Sequence, residues 1–172
     1  MTAAGRPPGM GRFDSVASYG RPQAPALTYG STGTWIPRAG RAPMTTLKAF
    51  LVEDSPVIQR NLVAALEELA PVKVVGVAED ERGAVEWLGA RCNPPGCDVV
   101  IVDIFLKAGS GLGVLRAARD LHMPMTLIVL SNYATADMQR RCLELGASRV
   151  FDKSSEVDEL IHYCEQLAAP HD

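Results

Sequence analysis

Short apolar runs rich in β-branched residues alternate along this chain with helical patterns, and four of the runs stop at polar residues. Leu47 to Val52 (LKAFLV) is followed by Glu53 and Asp54, and Val99 to Val102 (VVIV) by Asp103. Thr126 to Leu130 (TLIVL) is followed by Ser131, and Arg149 to Asp152 (RVFD) by Lys153. Strands that alternate with helices build a parallel sheet through right-handed crossovers. In open sheets of this kind the ligand crevice lies at the carboxyl ends of the strands. Three carboxylates, a hydroxyl and an ammonium should therefore converge, although Asp54 and Asp103 are far apart in sequence. A pocket of that composition suits a divalent metal and a phosphoryl group.

The intervening segments carry helix signals. Ser55-Pro56 is an N-cap followed by proline at the first helical position, and Ile58, Leu62, Ala65, Leu66 and Leu69 repeat at helical spacing up to Pro71, a stripe this helix is expected to bury. Val72 to Ala78 reads as a second strand and Asp80 to about Ala90 as a second helix with Val85 and Leu88 inward. The third strand, Asp98 to Val102, is apolar enough for burial on both faces. Gly109-Ser110-Gly111 opens a third helix, Met125 to Leu130 forms a fourth strand, and Thr135 caps a fourth helix that Gly146 stops. Arg149 to Phe151 is a short fifth strand, and Ser155 is expected to cap a fifth helix carrying Leu160, Ile161, Cys164 and Leu167. The fold class is α/β: a doubly wound, five-stranded parallel sheet with helices on both faces.

The net charge of −3 hides an asymmetry. Residues 1 to 43 hold five arginines and only Asp14 as an acid, a balance of +4, which leaves −7 on the remainder. An acidic domain is a poor surface for nucleic acid, which needs clustered Lys and Arg. No stretch reaches the ~18 apolar residues of a membrane span, and the N-terminus has no apolar signal core, so a cytoplasmic location is expected. Cys92, Cys97, Cys142 and Cys164 form no paired zinc-ligand motif; Cys92 and Cys97 read as reduced thiols beside a turn. Residues 1 to 45, rich in Gly, Pro, Ser and Thr and lacking periodicity, are expected to be a disordered extension to a domain at 46 to 169, with a tail at 170 to 172.

From Leu47 to about Leu167 the chain resembles the receiver domain of two-component response regulators, a flavodoxin-like (βα)5 fold. The acidic pair Glu53-Asp54, Asp103 after the third strand, Gly111-Leu112 eight and nine places later, Ser131 and Lys153 carry the resemblance. Singly, each has an ordinary reading: Asp103 as a helix cap or turn former, Lys153 as a solvated lysine, Ser131 as a capping hydroxyl. Jointly, in the right order at the right strand ends, they are specific. The resemblance implies transfer of a phosphoryl group from a phosphohistidine of a histidine kinase or histidine phosphotransfer protein to Asp103. It also implies Mg²⁺ held by Asp54, Asp103 and the backbone carbonyl of Phe105, with Glu53 reaching the ion through water. Lys153 and Ser131 would contact phosphoryl oxygens. Output would pass by protein contact to a downstream target, from a monomer or weak dimer without nucleic-acid or membrane contact of its own.

Departures from the family pattern bear on that expectation. Lys107 and Ser154 stand where proline is frequent, and Lys107 is expected to alter only a loop. Asn132 and Tyr133 follow Ser131 where a smaller residue is frequent, and both bear on access to the phosphoryl group. Val150 occupies the position where an aromatic side chain usually rotates between states, and strand alternation turns the adjacent Phe151 to the opposite face. Val150 and Ser154 support an alternative, a receiver-like binding module that works without phosphorylation. An aspartyl-phosphate phosphohydrolase fits less well, because the place of its second Asp is held by Phe105. A nucleotide-binding flavodoxin-like protein lacks its glycine-rich phosphate loop. Few residues follow Leu167, so a stand-alone receiver is expected, which catalyses only its own phosphorylation and dephosphorylation.

Overall fold

The computed structural model describes residues 27–29, 35–37, 44–90, 96–122, 124–132 and 135–170. Two units separate along the chain, residues 1–40 and 41–172. In the first, strand β1 (Leu27–Tyr29) pairs antiparallel with β2 (Trp35–Pro37), Leu27 opposite Pro37 and Tyr29 opposite Trp35. This hairpin was not expected from the sequence. Strands of three residues are too short for alternation to register, although the linking stretch contains Gly30 and Gly33, a hairpin-loop composition. Met44 and Thr45, expected at the end of the disordered extension, belong with the second unit, Met44 packing on its core and the Thr45 N–H donating to Ala168 O at 3.1 Å. The expected disorder of the rest of the extension, and the tail's last two residues, lie outside the described residues.

The second unit runs β3 (Leu47–Val52), α1 (Pro56–Leu69), β4 (Val72–Ala78), α2 (Glu81–Ala90), β5 (Val99–Val102), α3 (Gly111–Asp120), β6 (Thr126–Ser131), α4 (Ala136–Glu144), β7 (Ala147–Asp152) and α5 (Val157–Ala168). The five strands form one parallel sheet in the order β4-β3-β5-β6-β7. The winding direction reverses between β3 and β5, so the loops leaving these two strands diverge and open a crevice at their carboxyl ends.

Strand alternation divides the core into two layers. Ala49, Leu51, Val99, Ile101, Ile128, Leu130 and Phe151 face one side, packed with Leu62 and Leu66 of α1 and Leu160 and Cys164 of α5. Phe50, Val52, Val100, Val102 and Val129 face the other, against Ala84 and Leu88 of α2, Val114, Leu115 and Ala118 of α3, and Cys142 of α4. Every residue of β5 is buried. Each such Val, Leu or Ile contributes about 1.5–3 kcal/mol of apolar burial. Trp87 of α2 stacks on Phe50, ring centroids 3.9 Å apart, over Gly76, where a Cβ would meet the indole at 2.5 Å.

Local details differ in places from the sequence reading. Two residues expected inward are exposed: Leu69, in the last turn of α1, where Leu62 and Leu66 take the buried face, and Val85, at the rim of α2, where Ala84 and Leu88 take it. Ser55 occupies the N-cap of α1 with Pro56 first in the helix, but its side chain makes no capping bond; its N–H donates to Glu53 Oε1 at 3.0 Å. The cap of α5 is Glu156, not Ser155. Asp152 explains the shift, because its Oδ1 accepts from Ser154 N at 2.8 Å, from Ser154 Oγ and from Ser155 Oγ at 3.4 Å, drawing both serines into a turn before the helix. These hydrogen bonds from Ser154, side chain first and backbone second, hold the Asp152 carboxyl below its ordinary pKa. Thr135 caps α4 as expected, accepting from Met138 N, and Gly146 follows the helix with φ of +97°.

Candidate functional site

The crevice collects the polar residues at the strand ends. Glu53 and Asp54 follow β3, Asp103 follows β5, Ser131 is the last residue of β6, and Lys153 follows β7. Carboxylate oxygens of Glu53, Asp54 and Asp103 lie within 4.8 Å of one another. Hard oxygens in this number suit a divalent cation that binds carboxylates and keeps several waters, so the donor set fits Mg²⁺.

Asp103 is 7% exposed and fully engaged. Its Oδ1 accepts from Ser131 Oγ at 2.7 Å and from Phe105 N at 3.1 Å, while its Oδ2 accepts from Lys153 Nζ. Lys153 also donates to Glu53 Oε2 at 2.6 Å, and all three side chains are buried. Burial disfavours the Lys153 ammonium, but the hydrogen bonds to Asp103 and then Glu53 outweigh it and raise its pKa above the ordinary lysine value. Phe105 places its backbone at the site and leaves its side chain exposed.

Gly111 determines the path of the loop leaving β5. Its N–H donates to Ile104 O at 3.0 Å, and a Cβ there would come within 2.1 Å of Asp103 O. Glu81 pins the same loop from α2, accepting from Ser110 N at 2.8 Å. That contact joins residues 29 positions apart and has no local sequence signal.

Lys107 is the main correction. Rather than altering only a loop, it contacts Asp54: its N–H donates to Asp54 Oδ2 at 3.1 Å, and its Nζ stands 3.9 Å from the same oxygen and 3.4 Å from Asp54 O. Proline has no N–H to donate, so the departure from the family pattern brings this contact with it. The visible signal was a charged residue four places after Asp103; the distance to Asp54 was not visible. A cleft of about 340 Å³ opens here, lined among others by Asp54, Phe105, Lys107, Ser110 and Met138.

Asn132 and Lys153 line a second cleft with Ile58, Asn61 and Val157, whereas Tyr133 lies outside the described residues. Phe151 packs on Tyr163 at 6.0 Å and in the α1/α5 layer, while the half-buried Val150 packs in the other, as strand alternation requires. Cys97 is a buried free thiol that burial pushes up to about 11; Cys92 lies outside the described residues.

Residues 49–165 match the model of the response regulator receiver domain. The chain belongs to the response regulator receiver family. A protein-glutamate methylesterase/protein-glutamine glutaminase of Azospirillum brasilense is 30% identical over 145 residues, covering 83% of this chain and 34% of that protein. The receiver fold is shared with a two-component response regulator of the LuxR family from Aurantimonas sp. SI85-9A1, at 23% identity and a TM-score of 0.65, covering 73% of this chain and 86% of that one. The response regulator domain of Thermotoga maritima CheB superposes with a TM-score of 0.61 at 22% identity, over 74% and 98% of the two chains. The chain spans about a third to a half of the length of curated relatives of this kind. Among the described residues, no helix is long and apolar enough to cross a membrane.

Proposed function

We propose that this receiver takes a phosphoryl group from a phosphohistidine, on a histidine kinase or histidine phosphotransfer protein, onto Asp103. The observation that carries the reading is the position of the Asp103 carboxylate, at the end of the central strand between the Ser131 hydroxyl, the Lys153 ammonium and the carboxylates of Glu53 and Asp54. In the transfer, a carboxylate oxygen forms a bond to phosphorus as the phosphorus–nitrogen bond breaks, and the electron pair leaves with the imidazole. Attack on an already anionic group is governed by alignment and charge neutralisation. Phe105 N and Ser131 Oγ orient the carboxylate, and Lys153 offers its ammonium to the incoming phosphoryl oxygen. Asp54, Asp103 and the Phe105 carbonyl would hold Mg²⁺, with Glu53 reaching it through water, and the bound ion would add charge neutralisation at the phosphoryl oxygens.

Output goes by protein contact to a downstream target through the face built by α4, β7 and α5, where Arg140, Arg141, Arg149, Glu156 and Glu159 provide mixed charge. The protein acts in the cytoplasm, as a monomer or weak dimer, without turning over an external phosphoester. Incubating the native chain and Asp103→Asn with acetyl phosphate and Mg²⁺, then measuring intact mass, tests the assignment. One phosphate on the native chain and none on the variant is the expected result; undiminished addition to the variant refutes it. A native chain that takes up no phosphate favours the phosphorylation-independent binding module, the reading that Val150 at the usual aromatic position supports.

A further inference from the structure

The acidic crevice carries two lysines of different kinds. Lys153 is buried and bonded to two carboxylates, whereas Lys107 is 76% exposed and stands over the one carboxylate that Lys153 does not reach, Asp54, itself 15% exposed. Asp54 is also the residue assigned here to direct metal ligation. The Lys107 backbone N–H and side-chain ammonium both address Asp54 Oδ2, and the residue lines the cleft that opens beside that carboxylate.

We propose that Lys107 is a built-in competitor of the divalent ion: its ammonium serves as a labile counter-ion for Asp54 and sets the ion concentration at which the site loads. The inference rests on the metal reading given above. An ammonium 3.9 Å from the ligand oxygen lowers the negative potential that attracts a dication, and it must move aside or be repelled when the ion arrives. Because exposed lysine–carboxylate pairs are weak, the competition is reversible and tunes loading without blocking it. The backbone N–H acts separately, holding the Asp54 carboxylate in place whatever the side chain at 107.

Isothermal titration calorimetry of Mg²⁺ into the full chain separates these contributions. Lys107→Gln removes the charge and keeps the N–H, so it should bind Mg²⁺ about two- to fivefold more tightly than the native chain. Lys107→Arg keeps the charge and should stay close to the native affinity. The difference between native and Lys107→Gln should shrink as monovalent salt screens the exposed ammonium. Asp54→Asn, titrated alongside, reports on the site itself. Equal or weaker binding by Lys107→Gln, while Asp54→Asn abolishes binding, overturns the competitor role and leaves the metal reading standing. No saturable heat from the native chain overturns both.

Discussion

Lys153 shows how one side chain holds the site together before any ligand arrives. It neutralises two buried carboxylates at once, and removing one partner of a buried ion pair costs about 3–5 kcal/mol because the remaining charges stay buried. Lys153→Met should therefore melt well below the native protein at neutral pH, and added Mg²⁺ should recover more stability in the variant, where a dication replaces the missing charge. A variant as stable as the native chain would mean that the pair contributes nothing. The pH dependence has a definite sign. A folded-state pKa raised above the unfolded value of about 10.4 gives stabilisation that is complete below that pH and lost as pH climbs through the folded value. Thermal melts across this alkaline window should show the native chain losing that contribution and Lys153→Met, which lacks the group, showing no such loss.

At the scale of elements, loop backbone positions the chemistry. Two departures from the family pattern act alike: Lys107 and Ser154 each replace a frequent proline with an N–H, and each N–H is donated to an aspartate, Asp54 in one loop and Asp152 in the other. Gly111 is the third loop determinant, since the atoms a Cβ would strike are backbone atoms of Asp103 and Ile104, which cannot swing aside. Gly111→Ala should thus cost about 1–3 kcal/mol by overpacking and should also slow phosphorylation, because the displaced segment carries Asp103. Gly89 in α2 is the control: a Cβ there meets nothing within 4 Å, and Gly89→Ala should be neutral or stabilise by up to about 1 kcal/mol. Equal melting temperatures for the two variants would remove the close approach at Gly111 as a determinant of the loop.

Across the whole molecule, the described residues of both core layers lie in the receiver unit, between Leu47 and Ala168, with Met44 packed at the edge of one. Among the described residues, the carboxylate cluster begins at Glu53. A chain beginning at Met44 should match the full-length protein in melting temperature and in phosphorylation by acetyl phosphate. A drop of several degrees on truncation would show that the extension packs on the receiver, contrary to the expectation of an independent segment.

The sequence by itself determined the layer architecture and which polar residues meet at the crevice. Apolar runs and helical apolar spacing report where strands and helices lie and most of what they bury, Leu69 and Val85 excepted, and a parallel sheet sends every strand end to the same edge, so Glu53, Asp54, Asp103, Ser131 and Lys153 could be grouped from their positions after the apolar runs. The tertiary structure alone decided how those groups pair. That Lys153 serves Glu53 and Asp103 together, that Lys107 stands over Asp54, and that Glu81 pins the loop at Ser110 depend on loop paths and distances between residues 29 to 100 positions apart. Local patterns are silent on such distances, because a loop's course is set by what it packs against: here, the backbone contact that only glycine at 111 permits.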